Sequence, residues 1–335
     1  MNIIIHRGTH QIGGSVVEIN TKTTRIIIDM GDELSLETHF MPRALMIDGV
    51  TEGMPNCNGV LISHYHGDHL GQLKRVFSDI PIYVGALSKA IALIPSEYKD
   101  NQLYLRLLGA NTFSGGNVFT IGDIRIRPLV IDHSAADSYM FVIEAEGKRI
   151  LYTGDFRLHG LRSHCIERLI ENYVGAVDVL TTLSRNRGRT ISEAEVLDDI
   201  ISYVSDGKYV FIMCASTNID RIMGIWQNLP DDKVLLCDRY QKTILDTVIK
   251  STYYDSRLYK RHDKPLVVDS GAYPQSYMRN GFVSLVRCTD AYINKIKSFN
   301  RDDVRIIYSM WTGYIDHNES LKELLDAYPS YICHS

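Results

Sequence analysis

The chain has 335 residues, of which 45% are hydrophobic and 23% charged, with a formal net charge of −4 at pH 7. It is long enough for one large domain or two ordinary ones around a sizeable core. Its longest apolar runs fall well short of the roughly 20 residues that a membrane span requires, and its first residues lack the features of a secretory signal. The six cysteines contain no C-x-x-C pair, which argues against a zinc ribbon or a disulfide framework. We therefore expect a cytoplasmic globular protein with reduced thiols and no membrane partner.

The first half of the chain is dominated by strand patterns that later alternate with helical ones. Short runs rich in β-branched residues predict strands at residues 2–5, 15–19, 24–29, 60–63, 81–84, 118–121, 124–130, 139–144, 149–153 and 177–181. Helical patterns begin near residue 70 and occur at 87–94, 103–108 and about 165–172. The alternation predicts a layered α/β fold with strands packed face to face and helices outside.

The second half predicts a smaller α/β unit. Strands are expected at 208–213 and 234–239, with a helix that ends at 227 and another from about 241; a strand at 303–309 and a helix at 320–328 follow this unit. Alternating strands and helices of this kind favour a small parallel sheet.

The residues H-Y-H-G-D-H at 64–69 directly follow the predicted buried strand 60–63. Three imidazoles and a carboxylate within six residues are typical of a metal site with nitrogen and oxygen ligands. His64 and His66 can project toward one ion, while Asp68 and His69 on the next turn can face a second one a few ångströms away.

Three further polar residues end predicted strands. His133 follows 124–130 and Asp155 follows 149–153, so both should reach one edge of a sheet, where the Asp155 carboxylate can bridge two cations. Asp29 ends the strand 24–29, and we expect it to orient the histidine loop from behind rather than to bind metal.

These motifs, taken in order, resemble those of metallo-β-lactamase-fold hydrolases: I-I-I-D-M-G around Asp29, H-Y-H-G-D-H, D-H-S-A-A-D-S around His133 and Y-T-G-D-F-R around Asp155. The last two are more similar to the β-CASP nucleases, the group of ribonuclease J and the cleavage-and-polyadenylation endonuclease, than to lactamases or thioesterases. The resemblance covers nearly all of the first 180 residues. It implies an αββα sandwich of the metallo-β-lactamase type with an inserted β-CASP-like α/β domain.

The same resemblance implies a domain organisation. We expect residues 1–180 to form the first part of the metallo-β-lactamase-like domain, 181–303 the inserted domain, and 304–335 the return to the first domain. In the family the inserted domain clamps the substrate strand over the metals, so we expect phosphate contacts from Ser216, Asn218, Arg221 and Arg239. Each of these side chains could equally cap a helix. Two basic clusters, at 185–189 and 257–264, fit either a nucleic-acid contact or an ordinary solvated face.

The chain departs from the family pattern in its second half. The run 179–184 has a leucine where the family places an acid, and the two C-terminal histidine motifs have no match. His317 and His334 are the only histidines after the expected re-entry strand, and neither lies in the expected motif. A leaving-group acid and one ligand of the second metal are therefore expected to be missing.

The resemblance implies a ligand set and an activity. One ion would be held by His64, His66, His133 and Asp155, and a second by Asp68, His69 and the bridging Asp155. We expect two zinc ions, with manganese as the alternative at the second position. Asp68, His69 and Asp155 would be the catalytic residues of a ribonuclease or single-strand nuclease that uses a metal-bound hydroxide.

Two other functions stay open. The first is hydrolysis of a small ester, lactone or cyclic phosphodiester by the same metals. The second is a nucleic-acid-binding or regulatory relative with weak or no turnover. RNA or single-stranded nucleic acid is the expected partner, and a homo-oligomer or a partner protein that completes the metal site is also consistent with the sequence.

Overall fold

The computed structural model describes residues 1–11, 13–34, 42–183, 191–251, 266–271 and 273–333. Both basic clusters singled out in the sequence lie outside these residues. The described residues divide into two compact units, the first comprising 1–11, 13–34, 42–158 and 162–183, and the second comprising 159–161, 191–251, 266–271 and 273–333. Among the helices of this described part, none is long and apolar enough to cross a membrane.

The first unit contains two sheets, of which the first has six strands in sequence order. They are β1 (Asn2–Arg7), β2 (Val16–Asn20), β3 (Arg25–Ile28), β4 (Gly59–Ile62), β5 (Ile82–Gly85) and β6 (Asn111–Phe113). The pairs β1–β2 and β2–β3 are antiparallel, and those from β3 to β6 are parallel. The helices of this segment are α1 (Gly67–Leu70), α2 (Ala86–Lys99) and α3 (Asn101–Leu108), with a 3-10 turn at Gly71–Arg75 between α1 and β5.

The second sheet has five strands, in the order β11-β10-β9-β8-β7. They are β7 (Phe119–Ile121), β8 (Ile124–Val130), β9 (Tyr139–Ala145), β10 (Lys148–Asp155) and β11 (Val179–Leu183). Only β10 and β11 pair in parallel. A 3-10 turn at Ser163–Cys165, the helix α4 (Ile166–Leu169) and a π-helical turn at Ile170–Val174 connect β10 to β11.

The two sheets pack face to face, as the alternation along β9 shows. Phe141 and Ile143 belong to a core cluster that also contains Ile26 and Ile28 from the first sheet. The intervening side chains of β9 point to the opposite face and join a separate cluster beneath α4. Burying a side chain of the size of Phe141 contributes about 1.5–3 kcal/mol. The predicted sandwich of sheets with helices outside is therefore confirmed.

The second unit is built on a six-stranded parallel sheet. Its strands, in the order β14-β13-β15-β12-β16-β17, are β12 (Tyr209–Cys214), β13 (Leu235–Cys237), β14 (Leu266–Val268), β15 (Phe282–Val286), β16 (Val304–Ser309) and β17 (Ser330–Ile332). Its helices are α5 (Glu193–Asp206), α6 (Ile219–Asn228), α7 (Arg239–Lys250), α8 (Gln275–Asn280), α9 (Asp290–Lys297), α10 (Gly313–Asp316) and α11 (Glu319–Ala327), and a 3-10 turn lies at Arg301–Asp303. The small parallel sheet expected from the sequence is thus present.

Two boundaries differ from those expected. β11 pairs with β10, so the first unit extends through residue 183 instead of ending at 180. β16 pairs in parallel with β12 and with β17, so the described residues 304–333 belong to the second unit, and the expected return of this segment to the first domain is wrong. Ile306, Ile307 and Tyr308 are fully buried, as in an interior strand of a parallel sheet that is covered on both faces.

Candidate metal centre

Strand ends of the first unit bring the predicted metal ligands together. His64 and His66 lie in the loop after β4, and Asp68 and His69 lie in α1, which follows this loop in the chain. His133 follows β8. Asp155 is the last residue of β10. The chain must turn away where each strand ends, so these side chains project from one edge of the sandwich.

His64, His66 and His133 form one group of candidate ligands. The Nδ1 atom of His66 lies 3.2 Å from the Nε2 atom of His64 and 3.2 Å from the Nε2 atom of His133. Nitrogens bound tetrahedrally to zinc at 2.0–2.1 Å are separated by about 3.3 Å. Two of the three nitrogen–nitrogen distances therefore already have the value expected around a tetrahedral zinc ion, and all three nitrogens lie within 4.8 Å of one another.

His64, His69 and Asp155 form a second group. The Nε2 atom of His69 lies 3.5 Å from Asp155 Oδ2 and 3.8 Å from Asp68 Oδ2. This nitrogen is buried and, within the described residues, accepts and donates no hydrogen bond. A buried polar atom without a hydrogen bond is costly, and a cation at this position would satisfy it. The donor set of imidazole and carboxylate thus fits a second divalent ion.

The geometric grouping differs in detail from the expected ligand sets. Asp155 groups with His64 and His69, and His64 is common to both groups. Asp68 is near the second group through its 3.8 Å approach to His69 and is itself buried. The six predicted ligands are nevertheless brought together at one site.

Asp29 lies behind the ligands, in the orienting position expected from the sequence. It is fully buried, with a φ of 61°, and its Oδ1 accepts the backbone N–H of Ser63 at 2.7 Å. Its Oδ2 accepts hydrogen bonds from Ser63 Oγ at 2.8 Å and from Tyr152 Oη at 2.7 Å, and lies 2.7 Å from Nδ1 of His69. Such carboxylate partners fix the ring orientation of metal-binding histidines.

Opposite shifts affect the protonation of two of the histidines. Burial lowers the pKa of His133 well below its usual value, and the neighbouring His66 ring and Arg157 lower it further. Burial also lowers the pKa of His69, but the charge of Asp29, its hydrogen bond to Nδ1 and the nearby carboxylate of Asp155 outweigh burial and raise that pKa well above its usual value. His133 is thus neutral, the form that binds metal, whereas His69 must lose a proton before its Nε2 can do so.

The structure adds residues that the sequence reasoning did not assign to the site. Tyr152 and Ser63 contact Asp29, as described above. Arg157 donates to the fully buried Asp132 at 3.2 Å. Asp132 directly precedes His133, and Arg157 lies two residues after Asp155. Both could have been assigned to the site from their positions in the motifs D-H-S-A-A-D-S and Y-T-G-D-F-R.

The four predicted phosphate contacts lie in the second unit, and one of them is unsuited to that role. The guanidinium of Arg221 is buried and donates to Glu193 at 2.7 and 2.6 Å and to Ser309 Oγ at 2.9 Å. The expected phosphate contact by Arg221 is therefore wrong, because its donors are directed at these two partners. Asn218 caps α6, whereas Arg239, in the first turn of α7, is exposed.

Comparison with known proteins identifies the first half of the chain. Residues 24–185 match the family model described as the beta-lactamase superfamily domain. This match covers slightly less than half of the chain. The match includes both groups of candidate ligands, so this superfamily domain contains the whole candidate centre.

Two curated relatives of this superfamily domain are nucleases by name. Ribonuclease J of Helicobacter pylori is 28% identical over 160 residues, which are 45% of this chain and 22% of that protein. Exodeoxyribonuclease YycJ of Bacillus anthracis is 26% identical over 151 residues, 42% of this chain and 50% of that protein. The matches thus span between about a fifth and a half of the length of these relatives.

A solved structure extends the likeness of fold to the whole chain. It is the crystal structure of a protein of unknown function from Enterococcus faecalis V583, with a TM-score of 0.75 and 16% sequence identity. The likeness covers 99% of this chain and 87% of that one. The arrangement of the second unit thus recurs in a solved fold.

Proposed function

We propose that the protein is a metal-dependent phosphodiesterase that cleaves RNA or single-stranded DNA. The observation that carries this proposal is the convergence of three imidazole nitrogens beside a second group of imidazole and carboxylate donors. Nδ1 of His66 lies 3.2 Å from Nε2 of His64 and 3.2 Å from Nε2 of His133, close to the separation of tetrahedral zinc ligands. The nuclease names of the two curated relatives support a nucleic-acid substrate. Two zinc ions, or zinc and manganese, are the proposed cofactors.

The residues of this chain would bind two ions and orient the attacking water. His64, His66 and His133 would hold one ion, while His69, Asp155 and Asp68 would hold the other. Divalent cations at such a site lower the pKa of a bound water and neutralise charge on the phosphate. Asp68, with its oxygen 3.8 Å from Nε2 of His69, would orient the attacking water.

The proton for the departing oxygen would come from water. Within the described residues, both candidate ligand groups lie in the first unit and neither contains His317. General acid catalysis typically contributes 10²- to 10⁴-fold, so turnover without a histidine acid would be slow compared with an enzyme that has one.

Arg239 and Ser216 remain the proposed phosphate contacts of the second unit. Arg239 is exposed and starts α7, and Ser216 follows β12 with its backbone oxygen bound by Gln241. Both residues follow the carboxyl ends of parallel strands, where α/β sheets commonly bind ligands. We also propose a cytoplasmic location, because all six cysteines are free thiols in the structure.

The test is cleavage of 5′-labelled single-stranded RNA, and of DNA with the same sequence, by purified protein supplied with zinc or manganese. The site variant is Asp68→Ala, His69→Ala. The matched control is Lys242→Ala, Asp246→Ala, which removes a half-buried ion pair from α7. Bound metal is counted in all three proteins.

Cleavage by the wild type and the control that is lost in the site variant is the expected result. Metal binding without cleavage of any strand, but with salt-dependent affinity for RNA, would instead indicate a binding or regulatory relative. Turnover of a small ester or cyclic phosphodiester, with no affinity for single strands, would indicate the small-molecule hydrolase.

A further inference from the structure

The segment that carries His133 is a closed loop between β8 and β9. The N–H of Ile131 donates to the carbonyl of Ser138 at 3.0 Å, and Ser138 Oγ donates to the carbonyl of Ala135 at 2.9 Å. His133 therefore lies in a short backbone ring that the hydrogen bond between Ile131 and Ser138 closes. The position of its Nε2 atom depends on how this ring is held against its surroundings.

One side of the ring is attached to helix α2. The carboxylate of Asp137 accepts the backbone N–H of Ser88 at 2.8 Å, and Ser88 Oγ donates to the carbonyl of Asp137 at 2.7 Å. Asp137 is buried, and a Cβ added to Gly85 would lie 2.5 Å from its carboxylate. This attachment fixes the end of the loop nearest β9.

The other side is attached to the ligand loop after β4, through Tyr65. Tyr65 lies between His64 and His66 in the chain and is buried. Its hydroxyl accepts the backbone N–H of Ala136 at 2.9 Å, and its ring stands edge-on to the ring of His66. One side chain thus joins the loop of two candidate ligands to the loop of the third.

We propose that Tyr65 is a positioning residue that sets the distance between His133 and the His64–His66 pair. The proposal rests on the metal centre of the proposed function. His66 Nδ1 and His133 Nε2, one on each of the two loops, lie 3.2 Å apart. The bond from Ala136 to Tyr65 joins these two loops and so preorganises the three nitrogens before a cation arrives.

The variant that tests this role is Tyr65→Phe, which removes only the hydroxyl. The matched control is Tyr209→Phe in the second unit, because Tyr209 is also buried and its hydroxyl also bonds to the backbone, donating to the carbonyl of Met278 at 2.9 Å. The first readout is the dissociation constant of zinc, measured by competition with a chromophoric chelator. The second is the exchange rate of the Ala136 amide hydrogen in metal-free, ¹⁵N-labelled protein.

We expect Tyr65→Phe to weaken binding of one zinc ion by at least about tenfold, as is typical for residues that orient metal ligands, and to accelerate exchange of the Ala136 amide. Tyr209→Phe should leave both quantities as in the wild type. Unchanged zinc affinity in a folded Tyr65→Phe protein, or equal weakening in both variants, would overturn the inference while leaving the metal centre in place. A wild type that binds no zinc would overturn the proposed function instead.

Discussion

Asp29→Asn is the substitution that tests the candidate centre most directly. It keeps the size of the side chain, and asparagine tolerates the left-handed φ of 61° at this position. It removes the negative charge and replaces one acceptor oxygen by a donor NH₂ group. The groups that contact the carboxylate of Asp29 are hydrogen-bond donors. They are the N–H and Oγ of Ser63, the hydroxyl of Tyr152 and Nδ1 of His69.

The cost follows from counting these bonds. If the amide oxygen takes the place of Oδ2, the NH₂ group faces the N–H of Ser63 and that bond is lost, while the other three now end on a neutral acceptor. A hydrogen bond to a charged group contributes about 1.5–3 kcal/mol and a neutral one about 1 kcal/mol. We therefore expect the free energy of unfolding of the metal-free protein to fall by about 3 kcal/mol or more. Zinc affinity should fall 10- to 100-fold, because Asp29 orients His69.

The control is Glu193→Gln in the second unit, which leaves the buried guanidinium of Arg221 without its anionic partner. Breaking a buried ion pair costs about 3 kcal/mol or more. Urea unfolding of the metal-free proteins and zinc competition should show similar destabilisation in both variants, but weaker zinc binding only in Asp29→Asn. Wild-type zinc affinity in Asp29→Asn, or reduced affinity in Glu193→Gln, would refute the assigned role of Asp29.

Three further predictions concern other residues. Gly31→Ala should abolish zinc binding or folding, because an added Cβ overlaps the carbonyl oxygen of Asp68. Gly67→Ala should keep both, because no atom lies within 4 Å of its added Cβ. Circular dichroism and the number of bound zinc ions test both variants. The pKa of His69 is raised by its carboxylate partners despite burial, so its proton stabilises the metal-free fold below pH 6.5 and this contribution is lost as pH rises through the folded-state pKa. The thermal midpoint should therefore fall with pH more steeply in the wild type than in His69→Gln. Arg239→Ala should weaken binding to single-stranded RNA and reduce the salt slope by about one, measured by fluorescence anisotropy.

The candidate metal centre could be predicted from the sequence because most of its residues are close together in the chain. His64, His66, Asp68 and His69 lie within six residues, in a loop and a helix that follow one strand. His133 follows a second strand and Asp155 ends a third, and strand ends meet at sheet edges. The contribution of Tyr152 could not be predicted, since it depends on how β10 packs across the sandwich against the strand that precedes Asp29.

The second unit was harder to predict because its contacts link distant segments. Asn218 and Arg221 follow a strand, and this pattern is the same in a phosphate site and at the start of a capped helix. Only the group that Arg221 contacts distinguishes the two cases. That partner is Glu193. It lies in α5, which was not among the helices predicted from the sequence. Residues 304–309 were assigned by the resemblance alone, although their apolar residues, Val304 and 306–308, are equally typical of an interior parallel strand.

One buried carboxylate also settles which imidazole nitrogens face the centre. The single proton of the Ser63 hydroxyl is donated to Asp29, so Nδ1 of His64, 3.0 Å from that hydroxyl oxygen, must itself be the donor to Ser63. Nδ1 of His69 likewise donates to Asp29. Both rings therefore hold a proton on Nδ1, so Nε2 is the nitrogen that each can offer to a cation, in His69 after the ring has lost its second proton. Because His64 belongs to both ligand groups, removing the charge of Asp29 should weaken both groups together, whereas removing the Tyr65 hydroxyl should weaken only the three-histidine group.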